Sequence, residues 1–182
     1  MMMPIRNHAS RGAVLIALLS SLVAWSASAL DIAVVASKEI ALEPVSDLVL
    51  SRIFLKKLGT DKLGETLAPV NLPPTHPVRI AFSREVLRES AKASARYWNK
   101  QYFLGTSPPF VLNSQEAVLR FVTDTPGGIG YVLDCLADKR VNIIYRVSVS
   151  MDLEDKLAPF CEQSDNSPIN SIERPQGSGN LQ

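Results

Sequence analysis

Few side chains in this sequence have the chemical types that catalysis or metal binding requires. His76 is the only histidine beyond the N-terminal segment, and Cys135 and Cys161 are the only cysteines. A zinc site made of imidazoles and thiolates needs about four ligands, so these three cannot complete one. The residue patterns of nucleotide-binding loops, serine hydrolases and zinc proteases are missing as well. We therefore expect no catalytic residue, no metal and no other cofactor, and a hydrolase is the least favoured function.

The most promising chemistry is that of residues that could hold a small anion. From Thr75 to Ser83 a loop runs into what the pattern predicts to be a helix start. Ser83 is expected to cap that helix and leave backbone amides free to face an anion, while Arg79 adds positive charge. An ordinary helix start without a ligand explains the same residues.

A second candidate segment runs from Thr125 to Gly128. Gly127 and Gly128 lack side chains, so the backbone there can come close to a ligand. Close packing between a helix and a strand is the alternative explanation for both glycines. The candidate anion-binding residues are therefore Thr75, Arg79, Ser83, Gly127 and Gly128.

Apolar runs and turn residues predict the elements that must position these candidates. β-branched and apolar runs indicate strands at 31–36, 66–72, 129–133 and 141–149. Helical spacing and capping residues indicate helices from Ser46 to about 58, from Ser83 to about 103, and from Asn113 to about 124. Residues 78–82 are either a brief strand or the approach to the second helix.

The second of these helices carries two stripes. Ala91, Ala95, Trp98 and Tyr102 have the spacing of an inward-facing apolar side. Five basic residues at intervals of four form a cationic stripe, which is either a solvated face or a surface for a protein partner: Arg84, Arg88, Lys92, Arg96 and Lys100.

The ends of the chain differ from its middle. Residues 1–29 have the layout of a secretory signal peptide, with two arginines, a short apolar run and small residues at the expected cleavage point. An uncleaved anchor helix is the alternative, although the run is short for a membrane span. Residues 30–161 are expected to form one domain. Residues 162–182 are polar, contain two prolines and are expected to be disordered.

The composition of the chain and the compartment expected for it limit the kinds of partner it can have. Without its first 29 residues the chain has 17 basic and 18 acidic residues, so its net charge gives no attraction to nucleic acid. No stable membrane insertion is expected once the signal peptide is cleaved. Export to an oxidising compartment permits a disulfide between Cys135 and Cys161, and two free thiols remain the alternative.

The order of several short motifs resembles a known family. These are Ile53-Phe54-Leu55, Pro69 to Pro73, Arg79 with Phe82, Tyr97-Trp98, Pro108-Pro109 and Pro126 to Val132. Together they resemble short bacterial proteins of the phosphate ABC transporter substrate-binding type, relatives of periplasmic phosphate-binding proteins. The resemblance implies a single α/β domain of the periplasmic-binding-protein kind, a mixed sheet flanked by helices, and a periplasmic location.

Departures from that family bear on function. Full-length receptors carry a Gly-Ser-Gly-Thr segment around phosphate, where this chain has Pro74 to Val78. The resemblance implies a non-enzymatic solute-binding protein for phosphate or a similar oxyanion. The alternative is a periplasmic interaction or assembly factor that kept the fold and lost the ligand site. A homodimer could also supply a missing half of a cleft.

Overall fold

The structure is a computed structural model that describes residues 30–42 and 45–165. Its strands are β1 (Asp31–Ala36), β2 (Ala68–Asn71), β3 (Phe110–Val111), β4 (Gly128–Leu133) and β5 (Asn142–Ser148). Its helices are α1 (Asp47–Phe54), α2 (Pro77–Phe82), α3 (Ala91–Phe103), α4 (Gln115–Asp124) and α5 (Met151–Asp165). The expected signal peptide lies outside the described residues.

The five strands form one mixed sheet in the order β3-β2-β4-β1-β5. β2 runs parallel to β3 and β4, whereas β1 runs antiparallel to β4 and β5. β4 is therefore the central strand, and all six of its residues are buried. The mixed α/β sheet and its centre at 129–133 agree with the prediction.

Helices cover both faces of the sheet. Successive side chains of β4 point to opposite faces, so neighbouring residues of this strand show which helices pack on each face. At Gly130 a Cβ would lie 2.4 Å from a methyl carbon of Val118 on α4, so this position faces α4. Tyr131, the next residue, stacks on Phe82 of α2 with ring centroids 4.0 Å apart and also lies near Phe54 of α1. The core thus lies in two layers, one on each side of the sheet.

Most predicted element starts are confirmed, with small shifts. Ser46 caps α1 and accepts a hydrogen bond from the Val49 amide. α4 is capped by Ser114 rather than Asn113, because the Ser114 hydroxyl accepts from the Ala117 amide at 3.1 Å. α1 ends earlier than expected, at Phe54.

The predicted helix from Ser83 to 103 is wrong. Residues 78–82 already belong to α2, which continues into a π-helical turn over Ser83–Leu87. Ser83 is therefore not a helix N-cap but the C-cap residue of α2, and its hydroxyl donates to the Arg79 carbonyl at 2.7 Å. Arg88 then adopts a left-handed conformation with φ 55°, and Ser90 caps a separate helix, α3.

The predicted inward stripe of α3 is also wrong, because α3 has no buried residue at all. Ala91 and Ala95 are exposed, and Tyr102 keeps 69% of its surface. The cationic stripe is divided by the same break. Arg84 and Arg88 belong to the π-helical turn and the residue after it, whereas the other three basic residues lie on α3.

The C-terminal helix was not predicted. α5 extends to Asp165, so the first four residues of the expected disordered tail are helical, and residues 166–182 lie outside the described part. A disulfide joins Cys161 on α5 to Cys135 in the turn after β4, with Cα atoms 5.8 Å apart. Closing a loop of 26 residues stabilises a fold by about 3 kcal/mol on chain-entropy grounds.

Gly127 provides a stability test of the turn before β4. Its φ is +73°, and a Cβ there would lie 1.9 Å from the Thr66 carbonyl oxygen. We expect Gly127→Ala to lower the free energy of unfolding by about 3 kcal/mol or more, since left-handed backbone alone costs about 1–2 kcal/mol in an L-residue. Urea denaturation would measure the change. Gly59→Ala is the matched control, because nothing lies within 4 Å of its added methyl. Equal stability of the two variants would contradict the packing described here.

Candidate binding site

The candidate site is built on the buried hydroxyl of a tyrosine in β4, beside the carboxyl end of the parallel strand β2. Tyr131 of β4 is fully buried, and its hydroxyl accepts a hydrogen bond from the Leu72 amide at 3.2 Å. The same hydroxyl donates to the Asn71 side-chain oxygen at 3.2 Å. Burial raises the pKa of Tyr131, and the nearby Arg79 opposes that rise. The phenol group is therefore neutral, and its hydrogen bonds hold it in one position beside the carboxyl end of β2.

Arg79 completes this network from α2. One terminal nitrogen of its guanidinium donates to the Asn71 side-chain oxygen and lies 3.4 Å from the Tyr131 hydroxyl. Within the described residues Arg79 has no carboxylate partner at ion-pair distance, although it is half-buried. Its positive charge is thus held by neutral oxygens, and no carboxylate among residues 30–42 and 45–165 compensates it, which is an arrangement suited to an anionic ligand.

A cavity of about 780 Å³ opens beside Arg79. We name it the α3 cavity, because one wall is the face of α3 that carries Ala91, Ser94, Ala95 and Trp98. The opposite wall consists of the end of β2, α2 and the π-helical turn, and Pro108 and Pro109 close one side. The α3 cavity therefore lies beyond the carboxyl end of β2, where open α/β sheets commonly bind ligands.

The other arginines of the α3 cavity are already paired. Arg84 forms two hydrogen bonds with the carboxylate of Asp152, at 2.7 and 2.8 Å, and one with Glu85. The hydrogen bonds with Asp152 raise the pKa of Arg84 and lower that of Asp152. The pKa of Glu85 is lowered first by a hydrogen bond from the Ser150 hydroxyl and then by Arg84. Arg88 lies 3.7 Å from Asp47 and 3.8 Å from Glu85. Their charge is largely compensated, so Arg79 is the arginine of the cavity that has no acidic partner in the described structure.

The structure separates the predicted anion-binding residues. Arg79 and Ser83 both line the α3 cavity. Thr75 is exposed on the turn before α2 and does not line it. Gly127 and Gly128 are buried away from the cavity, against the backbone of Thr66 and of Thr125. These two glycines therefore have the packing role that was the alternative explanation.

The helix that starts near the site is α2, and a side chain of the protein itself caps its first free amide. His76 is the N-cap of α2, and its Nδ1 accepts a hydrogen bond from the Val78 amide at 3.2 Å. Pro77 at the first helical position has no amide hydrogen to offer. Partial burial lowers the pKa of His76, which favours the neutral ring that this acceptor role needs. The amides that the sequence suggested for an anion are thus not at Ser83.

Sequence reasoning missed three residues of the site. Asn71 and Tyr131 form the network, and Trp98 forms part of the apolar wall of the α3 cavity. An asparagine at the end of an apolar strand is a weak signal, because many strands end in a polar residue. The spacing of the α3 stripe predicts a side that faces the core, whereas in the structure that side lines the cavity.

Two absences apply to the described part of the chain. None of its histidine, cysteine, aspartate and glutamate residues forms a group of three or more that could hold a metal ion. Among residues 30–42 and 45–165 we find no helix with the length and apolar character that crossing a membrane requires.

Removing the Tyr131 hydroxyl tests the network. We expect Tyr131→Phe to lower the free energy of unfolding by about 1–3 kcal/mol, because the buried Leu72 amide loses its acceptor. Thermal and urea denaturation would measure the loss. Tyr102→Phe is the matched control, since Tyr102 is 69% exposed and should change stability by less than about 0.5 kcal/mol. A Tyr131→Phe protein as stable as the control would show that the hydroxyl does not hold this strand end.

Comparison with known proteins supports the fold. No protein-family model matches the sequence, and no curated protein matches it either. Among solved structures, the chain is similar to a protein from Clostridium perfringens assigned as a phosphate ABC transporter substrate-binding protein and solved with bound phosphate. The TM-score is 0.52 with 16% identity, over 64% of this chain and 45% of that one.

A second similar structure is an ABC-type phosphate transport receptor from Vibrio cholerae. The TM-score is again 0.52, with 14% identity over 79% of this chain and 66% of the receptor. The chain thus spans less than two thirds of the length of either structure. At these identities the similarity establishes the fold, which is the α/β fold of phosphate-transport substrate-binding proteins.

Proposed function

We propose that this chain is an exported, non-catalytic solute-binding protein whose ligand carries an oxyanion group, phosphate being the simplest example. The fold is that of substrate-binding proteins, and the similar structure from Clostridium perfringens contains phosphate. Residues 1–29 have the pattern of a signal peptide, which favours a periplasmic location. Arg79 is the principal contact in this proposal, and Ser83 lines the same cavity.

The observation that carries the proposal is the uncompensated charge of Arg79. Most arginines that lie partly inside a protein face a carboxylate, because leaving the charge unpaired is costly. Here the guanidinium is held by Asn71 and Tyr131, which fix its position without neutralising it. An oxyanion in the α3 cavity would supply the missing charge and accept its remaining N–H groups.

The lining of the α3 cavity favours binding over catalysis. Glu89 is the only carboxylate among its lining residues, and no histidine or cysteine lines it. Asp61, a carboxylate with little exposed surface, accepts backbone hydrogen bonds from Ala41, Leu63 and Glu65 and holds a turn outside this cavity. A pair of titratable groups for acid–base chemistry is therefore not assembled around this cavity.

Calorimetric titration with phosphate and sulfate tests the proposal. We expect a dissociation constant in the millimolar range, because a single guanidinium supplies most of the attraction. Arg79→Gln should weaken binding at least tenfold, since a charged hydrogen bond contributes about 1.5–3 kcal/mol.

Arg120→Gln is the matched control for this titration. Arg120 is an exposed arginine paired with Glu116 on α4 and does not line the α3 cavity, so binding should be unchanged. No heat for either anion with the unmodified chain would remove inorganic phosphate and sulfate as ligands. Equal loss in both variants would remove Arg79 as the contact.

A second candidate function rests on a different surface. In the segment 102–111, whose last residue lines the α3 cavity, five large apolar side chains are exposed at 52–87% of their surface. We name this surface the apolar patch; it consists of Tyr102, Phe103, Leu104, Phe110 and Val111. Such a concentration of exposed apolar side chains is typical of protein–protein contacts. It favours the alternative that the chain is a periplasmic interaction or assembly factor.

Pull-down from periplasmic extract, with light scattering of the purified chain, tests this alternative. We expect a stable protein partner or a homodimer with the unmodified chain, and at least tenfold weaker association for Phe103→Ser, because Phe103 is the most exposed side chain of the patch, at 87%. Leu63→Ser is the matched control, because Leu63 is an apolar residue outside the patch that is 74% exposed. A monomer that captures no partner would eliminate this second function.

A further inference from the structure

We propose that the ligand of the α3 cavity is an amphipathic anion, with an oxyanion head at Arg79 and an apolar body against α3. This inference rests on the proposed function, because it takes Arg79 as the anion contact. It goes further by naming the class of molecule that the rest of the cavity accepts.

The size of the α3 cavity is the first argument. Its volume of about 780 Å³ lies within the roughly 300–1,000 Å³ of sites that hold whole organic ligands. At about 30 Å³ per water molecule, this space corresponds to on the order of 25 waters. An inorganic phosphate bound to Arg79 would leave most of that space to solvent.

The chemistry of the walls is the second argument. Leu72, Ile80, Trp98, Pro108, Pro109 and Val111 present apolar surface to the cavity. Most of the polar side chains are already engaged: Ser83 donates to the Arg79 carbonyl, Ser90 caps α3, and Arg84 is paired with Asp152. A free phosphate needs donors on several sides, whereas Arg79 is the one arginine of the cavity without an acidic partner in the described structure. Glu89 also lines the cavity, and one oxygen of its carboxylate is buried with no hydrogen-bond partner among the described residues, so an anion is accepted at the Arg79 end.

The exposure of the apolar stripe of α3 is the third argument. Its apolar stripe has the spacing of a packed helix face, yet no residue of α3 is buried. Ala91, Ala95 and Trp98 of that stripe line the α3 cavity instead of the core. Covering such a stripe with the body of a ligand would remove apolar surface from water, which is favourable in proportion to the area covered. The uncompensated Arg79 beside it selects a ligand that is anionic at one end.

A chain-length series gives the direct test. The purified chain is titrated with inorganic phosphate and with butyl, hexyl and octyl phosphate, all below their aggregation concentrations. Octanol serves as the uncharged probe. We expect affinity to rise by up to roughly fourfold for each added methylene that the cavity buries, so that octyl phosphate binds at least tenfold more tightly than butyl phosphate. Arg79→Gln should weaken octyl phosphate binding at least tenfold and leave octanol binding unchanged.

A variant that fills the α3 cavity tests whether the apolar body of the ligand binds there. Ala95 is exposed on α3 and lines the cavity, so Ala95→Trp fills the cavity without disturbing the core. We expect it to weaken octyl phosphate binding at least tenfold. Asn99→Trp introduces the same side chain at an exposed position of α3 that does not line the cavity, and it should bind like the unmodified chain.

The outcomes separate the two proposals. Affinity independent of chain length, together with phosphate binding that is lost in Arg79→Gln, would overturn the amphipathic ligand and leave the proposed function in place. Chain-length dependence with no binding of inorganic phosphate would support the amphipathic ligand. Equal binding by Ala95→Trp and the unmodified chain would place the ligand elsewhere and overturn this inference. Binding of none of these anions would end both proposals.

Discussion

The need to satisfy one buried hydroxyl organises this fold. Tyr131 lies at the centre of the sheet, and its ring stacks on Phe82 between the helices that cover that face. A phenol in this place must find hydrogen-bond partners, because an unpaired buried polar group costs free energy. The chain supplies the Leu72 amide and the Asn71 side chain, which together fix the end of β2. Arg79 joins the same network, so one packing requirement also sets the position of the candidate site.

Two different demands meet in the segment between β2 and α3. The apolar side of α2 must cover Tyr131, while its polar side must carry Arg79 to the edge of the sheet. The π-helical turn after α2 and the left-handed Arg88 then redirect the chain, so that α3 leaves the core. The ion pairs of Arg84 and Arg88 connect this redirected segment to α5 and α1. The α3 cavity is the space that this change of direction leaves open.

Local patterns predicted much of the fold and little of the site. Strands 31–36 and 129–133 were clear because each is an apolar run bounded by turn residues, and Ser46 marked its helix by a short-range cap. The break at Arg88 was not predictable in this way, because the four-residue spacing continues through it. A left-handed arginine is disfavoured locally and is maintained only by the surrounding structure. The long single helix was therefore the reasonable but incorrect expectation.

Contacts distant in sequence account for what was missed at the site. Asn71 and Tyr131 are 60 residues apart, and no local pattern shows that they meet. Arg79 was recognised for its charge, but its lack of an acidic partner is a property of the folded chain. Ser83 was placed correctly near Arg79 for the wrong reason, since it continues a helix rather than starting one.

The independence of α3 from the core has a consequence for how such a chain can change. Because no residue of α3 is fully buried, most of its positions can accept substitutions while the folded state keeps its stability. Tyr97 is the exception, since its hydroxyl donates to the Leu55 carbonyl at 2.8 Å. Relatives with this same scaffold could therefore diverge in what they recognise by altering one helix, with the sheet and the Tyr131 anchor left as they are. Among the helices around the site, α3 is therefore the one whose sequence the core constrains least.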